Sequence, residues 1–101
     1  MLINKYHVSK HAAQRMAQRN LSVRDVEIAL RLGHKEYRTG AQFFFLGKRD
    51  FQRGTEKELA RLIGTVVVVE ADAVIATVYR NRYALGKIKH KSKHGLKSKG
   101  R

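Results

Sequence analysis

Residues 65–69 read TVVVV, and this run constrains the fold more than any other stretch of the chain. Every position is β-branched, a side-chain type that loses freedom in a helix and packs well on a pleated surface. Successive side chains of a strand point to opposite sides, so an unbroken apolar run predicts a strand buried on both faces. Residues 74–79, VIATVY, read as its partner, with EADA at 70–73 as the hairpin loop. A second pair is predicted at 35–39, KEYRT, and 42–46, QFFFL, around a tight turn at Gly40. Three consecutive Phe, 43 to 45, put at least one ring on each face, and core packing is expected of them.

The N-terminal half has a different period. Residues 2–8, LINKYHV, read as one short strand, and Ser9 stands where a helix N-cap belongs. A first helix is predicted from Lys10 to Arg19, with Ala12, Ala13, Met16 and Ala17 in helical spacing and Asn20 as its stop. Ser22 opens a second helix, Asp25 sits three residues on, and Val23, Val26, Ala29 and Leu30 form the apolar stripe. Gly33 is expected to end it in the left-handed conformation. Residues 47–58 read as a polar, basic loop, and the apolar part of 59–63 as either a helical turn or a strand lead-in. With 101 residues, 43% of them hydrophobic, the chain suffices for one domain with one modest core. The expected fold is therefore α+β: two N-terminal helices packed on a mainly antiparallel sheet of four to five strands.

Charge narrows the function. The chain carries 22 Lys+Arg against 8 Asp+Glu, a net +14. Residues 87–101, KIKHKSKHGLKSKGR, hold seven of the cations and no acid, leaving fifteen basic and eight acidic residues on 1–86, net +7. The reading is a domain over 1–86 and a Lys-rich tail over 87–101 too poor in apolar residues to order itself. A basic tail on a basic domain points to a polyanion, with nucleic acid the leading candidate and a merely solubilising tail the alternative. Only Ile88 and Leu96 are apolar in the tail, which argues against a membrane surface. No run approaches a membrane span, and MLINKYHVSK has no signal-like apolar core, so a cytoplasmic location is expected.

The absence of Cys removes disulfides, thiolate nucleophiles and Cys-based zinc sites. His7 and His11 are separated by the helix start at Ser9, His90 and His94 lie among lysines, and no HExxH is present, so neither a metal nor another cofactor is expected. What remains is cationic. His11, Arg15 and Arg19 follow one another at i, i+4 and i+8 along the first helix, which suits either a phosphate-reading face or a plain solvated one. Tyr79, Arg80, Arg82 and Tyr83 interleave aromatic and cationic groups at the end of the last strand, as single-stranded RNA sites do; alternatively Tyr79 closes the core edge. Lys48, Arg49 and Arg53 extend the basic surface, and with the tail they would form a groove.

The segments HAAQRMAQRNLSVRDVEIALRLG, GTVVVV and VIATVYRNR resemble a small bacterial domain-of-unknown-function family grouped with the RelE/ParE superfamily and its BrnT-like toxins. The resemblance spans roughly residues 6–92. Its most specific parts are His11–Ala12, Arg15, Arg19 and Thr77–Val78–Tyr79. It implies two N-terminal helices on a curved antiparallel sheet and a metal-free endoribonuclease, with mRNA among its targets and a cognate antitoxin as partner. Some members of that group bind gyrase instead, and a non-catalytic RNA- or ribosome-binding module is a further alternative. In the implied reaction a base takes the 2′-hydroxyl proton, the oxygen attacks phosphorus, and an acid protonates the leaving 5′-oxygen. On that reading His11 is base or acid, Arg15 and Arg80 stabilise charge, and Tyr79 donates a proton or stacks. Arg19, Lys48, Arg49 and Arg82 position the RNA backbone, with Lys87, Lys89 and Lys91 adding contacts from the tail.

The tail reading has a direct test. Removing residues 87–101 is expected to weaken RNA binding and flatten its dependence on salt, because fewer counterions are released. A binding titration across salt concentrations measures the slope, and an unchanged slope excludes the role.

Overall fold

A computed structural model of the chain describes residues 1–51 and 59–91. The strands are β1 (Leu2–Ile3), β2 (Tyr6–Val8), β3 (His34–Arg38), β4 (Ala41–Leu46), β5 (Thr65–Glu70) and β6 (Val74–Arg80). Among the described residues the helices are α1 (Lys10–Gln18), α2 (Val23–Leu32) and α3 (Ala84–Lys89). One six-stranded sheet runs in the order β1-β2-β6-β5-β4-β3. All neighbours are antiparallel except β2 and β6, which pair in parallel at His7–Val74 and Val8–Ile75.

This corrects the expected mainly antiparallel sheet of four to five strands under two N-terminal helices: the sheet has six strands and is mixed. The stretch 2–8 is not one strand: it turns at Asn4, whose φ is 59°, and becomes a two-strand hairpin. The sheet is mixed because β2 meets β6, more than sixty positions away, a pairing that local periodicity does not encode. The third helix occupies residues read as the end of the domain and the start of the tail, among them Lys87 and Lys89. The rest of the tail, from residue 92, and residues 52–58, read from the sequence as part of a basic loop that includes Arg53, lie outside the described residues.

β5 explains the layering. Val67 and Val69 join the cluster of Phe44, Leu46, Ile75 and Val78, covered by Ala12 and Met16 of α1 and Val26 and Ala29 of α2. Val66 and Val68 join Phe43 and Phe45 in a second cluster on the opposite face, covered by Ala84 and Ile88 of α3. Ile88 is 1% exposed. Its burial contributes roughly 1.5–3 kcal/mol and holds α3 against the sheet. Cutting the chain at residue 87 would remove this core side chain, so the salt test needs a cut after Lys91.

Two local devices set the first helix pair. The Ser9 hydroxyl accepts from the Ala12 N–H and donates to the Ala76 carbonyl, both at 3.0 Å. Ala76 is the extra residue of a β-bulge, since Val68 faces Thr77 while Val69 faces Ile75. The bulge lets Ile75 and Val78 both reach the helical side, and its carbonyl fastens the start of α1. Ser22 and Asp25 form a reciprocal capping box at the start of α2. Gly33 does not end α2 in the left-handed region; its φ is −69° and its ψ 155°. A Cβ there would lie 2.5 Å from the Ala29 carbonyl oxygen, so close approach excludes a side chain.

Asp25 does more than cap. Its carboxylate, 4% exposed, also takes both Arg61 Nη groups, at 2.9 and 3.1 Å. Burial pushes its pKa up. The Arg61 hydrogen bond, the Ser22 backbone N–H and the Arg61 charge outweigh that push, and the pKa ends below its ordinary 3.8. A depressed folded pKa means stability present above the unfolded value and lost as pH falls through the folded one. Asp25→Ala is expected to lower unfolding free energy by about 1–3 kcal/mol at neutral pH. The gap to the unsubstituted protein should narrow in acid, below about pH 4. Urea denaturation at neutral and acid pH checks both.

Candidate nucleic-acid interface

The last strand ends in a junction that decides where the basic residues go. Gly64 has φ +93°, donates its N–H to the Leu46 carbonyl and accepts from the Asn81 N–H, each at 2.8 Å. A Cβ on Gly64 would sit 2.8 Å from the Arg82 backbone nitrogen. Glycine is required on both counts, and its absence of a side chain lets residues 81–82 fold against the strand lead-in. Asn81 then starts α3: its side-chain Oδ1 accepts from the Tyr83 N–H and its carbonyl from the Ala84 N–H, both at 2.9 Å.

This turn sets Arg82, Tyr83 and Lys89 opposite the short 3₁₀ turn Lys48–Asp50 that follows β4. Between them lies a cleft of about 1220 Å³. Lys48, Arg49, Arg82 and Lys89 all line it, with His34 at one side and Phe45 in its apolar wall. Asp50 is the lining carboxylate, and its Oδ2 is taken by the Gly47 N–H at 2.7 Å. Tyr83 is 76% exposed at the rim. Four cations and an exposed ring around an open cleft have the composition of a site that neutralises phosphates and stacks bases.

The other expected site residues are distributed differently. His11 and Arg15 meet on the outer surface of α1, where Arg15 Nε donates to His11 Nε2 at 3.4 Å, a long bond. Arg15 also donates to Gln18 Oε1 at 3.0 Å. Arg19 is the exposed C-cap of α1. Tyr79 packs with the second cluster, on the face that α3 covers, whereas α1 lies on the other face. The sheet therefore stands between Tyr79 and the His11–Arg15 pair. Burial raises the Tyr79 pKa above its ordinary 10.0. Arg80 is exposed and alternates onto the face of Val78, away from Tyr79. Lys87 lies on α3, and Lys91 Nζ sits 5.8 Å from the Phe43 ring centroid.

Sequence reading missed His34, the one imidazole that lines the cleft among the described residues. The signal was present in HKEYR: His34, Glu36 and Arg38 alternate and so share one face of β3. The KEYRT reading starts the strand at Lys35, one residue too late to include it.

A family model described as a domain of unknown function, DUF4258, matches residues 8–80. The chain belongs to the DUF4258 family. No curated protein and no solved structure matches it. The family match runs from the end of β2 to the end of β6, so it contains His11, Lys48, Arg49 and Tyr79 and stops short of Arg82, Tyr83 and Lys89. One wall of the cleft in this DUF4258 chain thus lies beyond the matched segment.

The junction yields a prediction. Gly64→Ala combines a left-handed φ with a contact too short to exist, and is expected to cost about 1–3 kcal/mol of stability. Thermal unfolding measures the loss. Amide resonances of 81–83 should shift most, because that backbone must move to admit the Cβ.

Proposed function

We propose that this DUF4258 protein binds single-stranded RNA in the cleft between the Lys48–Asp50 turn and α3. One observation carries the reading: Lys48 and Arg49 are brought together with Arg82 and Lys89 beside the exposed Tyr83 ring. Guanidinium groups grip phosphate oxygens in pairs, lysines add point charge, and Tyr83 offers a face to any base. A single strand suits the cleft better than a duplex, because bases must be unstacked to reach an aromatic side chain. The net charge of +14 adds a sequence-independent attraction that salt weakens.

The resemblance to the RelE/ParE group extends the proposal. In its full form the protein is a toxin-type endoribonuclease of the cytoplasm, acting on mRNA, free or on the ribosome, and held in check by a partner antitoxin. The membrane has no part in this reading; among the described residues no helix is long and apolar enough to cross one.

Fluorescence anisotropy with a labelled single-stranded RNA tests the binding. Tyr83→Ala is expected to weaken it by about 1–3 kcal/mol, the range for one stacked base. Lys48→Ala and Arg82→Ala should each weaken it and reduce the salt slope by about 0.7, the share of one neutralised phosphate on a single strand. Equal affinity for all three variants and the parent protein would place the RNA elsewhere.

A further inference from the structure

The cleft holds a group that phosphate binding does not use. His34 opens β3 and lines the cleft, with its side chain 43% exposed. Its Nε2 lies 2.6 Å from Glu36 Oε2. Glu36 is itself locked: its side chain is 16% exposed, and its other oxygen is 3.1 Å from Arg38 Nη2. Arg38 in turn donates to the Tyr37 carbonyl at 2.7 Å. The His34 hydrogen bond draws the Glu36 pKa down, burial opposes it, and the charges of Arg38 and Lys89 add to the fall below its ordinary 4.5. Glu36 is thus a carboxylate at neutral pH and an acceptor only. In the 2.6 Å pair His34 Nε2 is therefore the donor, and in the neutral ring the lone pair lies on Nδ1, which has no partner among the described residues. A carboxylate that orients an imidazole, beside several cations in an open cleft, is an arrangement suited to metal-independent phosphodiester cleavage.

We propose that His34 is the proton-transfer group of an RNA-cleaving site in this cleft and that Glu36 is its positioning residue. The inference rests on the RNA reading of the cleft. His34 Nδ1 takes the proton of a ribose 2′-hydroxyl. The 2′-oxygen uses the freed electron pair to bond to the adjacent phosphorus, and the bond from phosphorus to the 5′-oxygen breaks. That oxygen keeps the bonding pair and takes a proton from water, and the imidazolium returns its own proton to the resulting hydroxide. The products are a 2′,3′-cyclic phosphate end and a 5′-hydroxyl end, with no net change in protons or electrons. Lys48, Arg49, Arg82 and Lys89 offset the charge that gathers on the phosphoryl oxygens. The assignment moves the reaction from the surface of α1, where His11 stands against Arg15, to the opposite face of the sheet.

The experiment uses the full chain, a fluorescent single-stranded RNA of mixed sequence and its all-deoxy counterpart, in the presence of EDTA. The protein should cut the RNA to cyclic-phosphate ends and leave the deoxy strand intact. His34→Gln should slow cleavage by about 10²–10⁴-fold while RNA affinity and the circular dichroism spectrum stay as in the parent. His34→Gly should regain cleavage when imidazole is added, which a purely structural role would not allow. Glu36→Gln should lower kcat and leave KM unchanged. Three results would overturn the proposal. RNA bound and never cut leaves the cleft reading standing and removes the catalytic one. No RNA bound removes the cleft reading and this inference with it. Cleavage lost in His11→Ala and kept in His34→Gln assigns the chemistry to α1.

Discussion

β5 has no solvent side. Up to its exposed last residue, Glu70, it is all β-branched: Thr65, Val66 and Val67 are fully buried and Val68 and Val69 nearly so, which leaves two apolar faces to cover. One face takes α1 and α2, the other takes α3. The second cover matters most for function. Without it Phe43, Phe45, Val66 and Val68 would form an exposed apolar patch, and covering them pulls the C-terminal segment back across the sheet. Arg82, Tyr83 and Lys89 arrive opposite Lys48 and Arg49 as a consequence of that hydrophobic requirement. The cations would repel one another if gathered without compensation. A burial energy of a few kcal/mol from Ile88 and Ala84 offsets such repulsion at a wet, high-dielectric cleft.

The few acids are placed with economy. Asp25 ties the capped start of α2 to Arg61 just before β5, and so joins the helical layer to the sheet. Glu36 sits between His34 and Arg38, with Lys89 close by. Asp50 closes the turn that presents Lys48 and Arg49 by accepting from Gly47. Each has a defined acceptor role, and the surplus of positive charge is left facing solvent, where it can meet a polyanion. In the proposed site, Glu36 would serve twice: as a structural partner of Arg38 and as the group that orients His34.

Much of the local structure was legible because its causes are local. Ser9 and Ser22 cap helices through bonds spanning three residues, and the Thr39–Gly40 turn joins two strands whose alternation is visible in the letters. The Phe triplet had to divide between faces, and it does. Other readings failed where the cause is distant. Gly33 looked like a left-handed helix stop, yet it is glycine because Ala29 and Phe45 carbonyls crowd it. Residues 84–89 read as the end of the domain and, from Lys87, the start of a Lys-rich tail, since Ile88 is the one apolar residue among Lys87, Lys89 and Lys91. They form a helix because an apolar sheet face receives them.

The sequence alone determined α1, α2, the strands of the two hairpins and the basic character of the surface, because these follow from side-chain volume, β-branching, capping groups and net charge, all properties of short stretches. The tertiary structure decided the parallel meeting of β2 with β6, the face on which each cation emerges and the company His34 keeps. Those depend on which segments distant in the chain share a face, and that is set by the joint burial of Val66 and Val68 with Ile88, and of Val67 and Val69 with Val26 and Ala29. His11 and Tyr79 are each where local rules put them, on a helix surface and at a strand end. The sheet between them is a product of long-range packing, for which no single stretch of the chain carries the instruction.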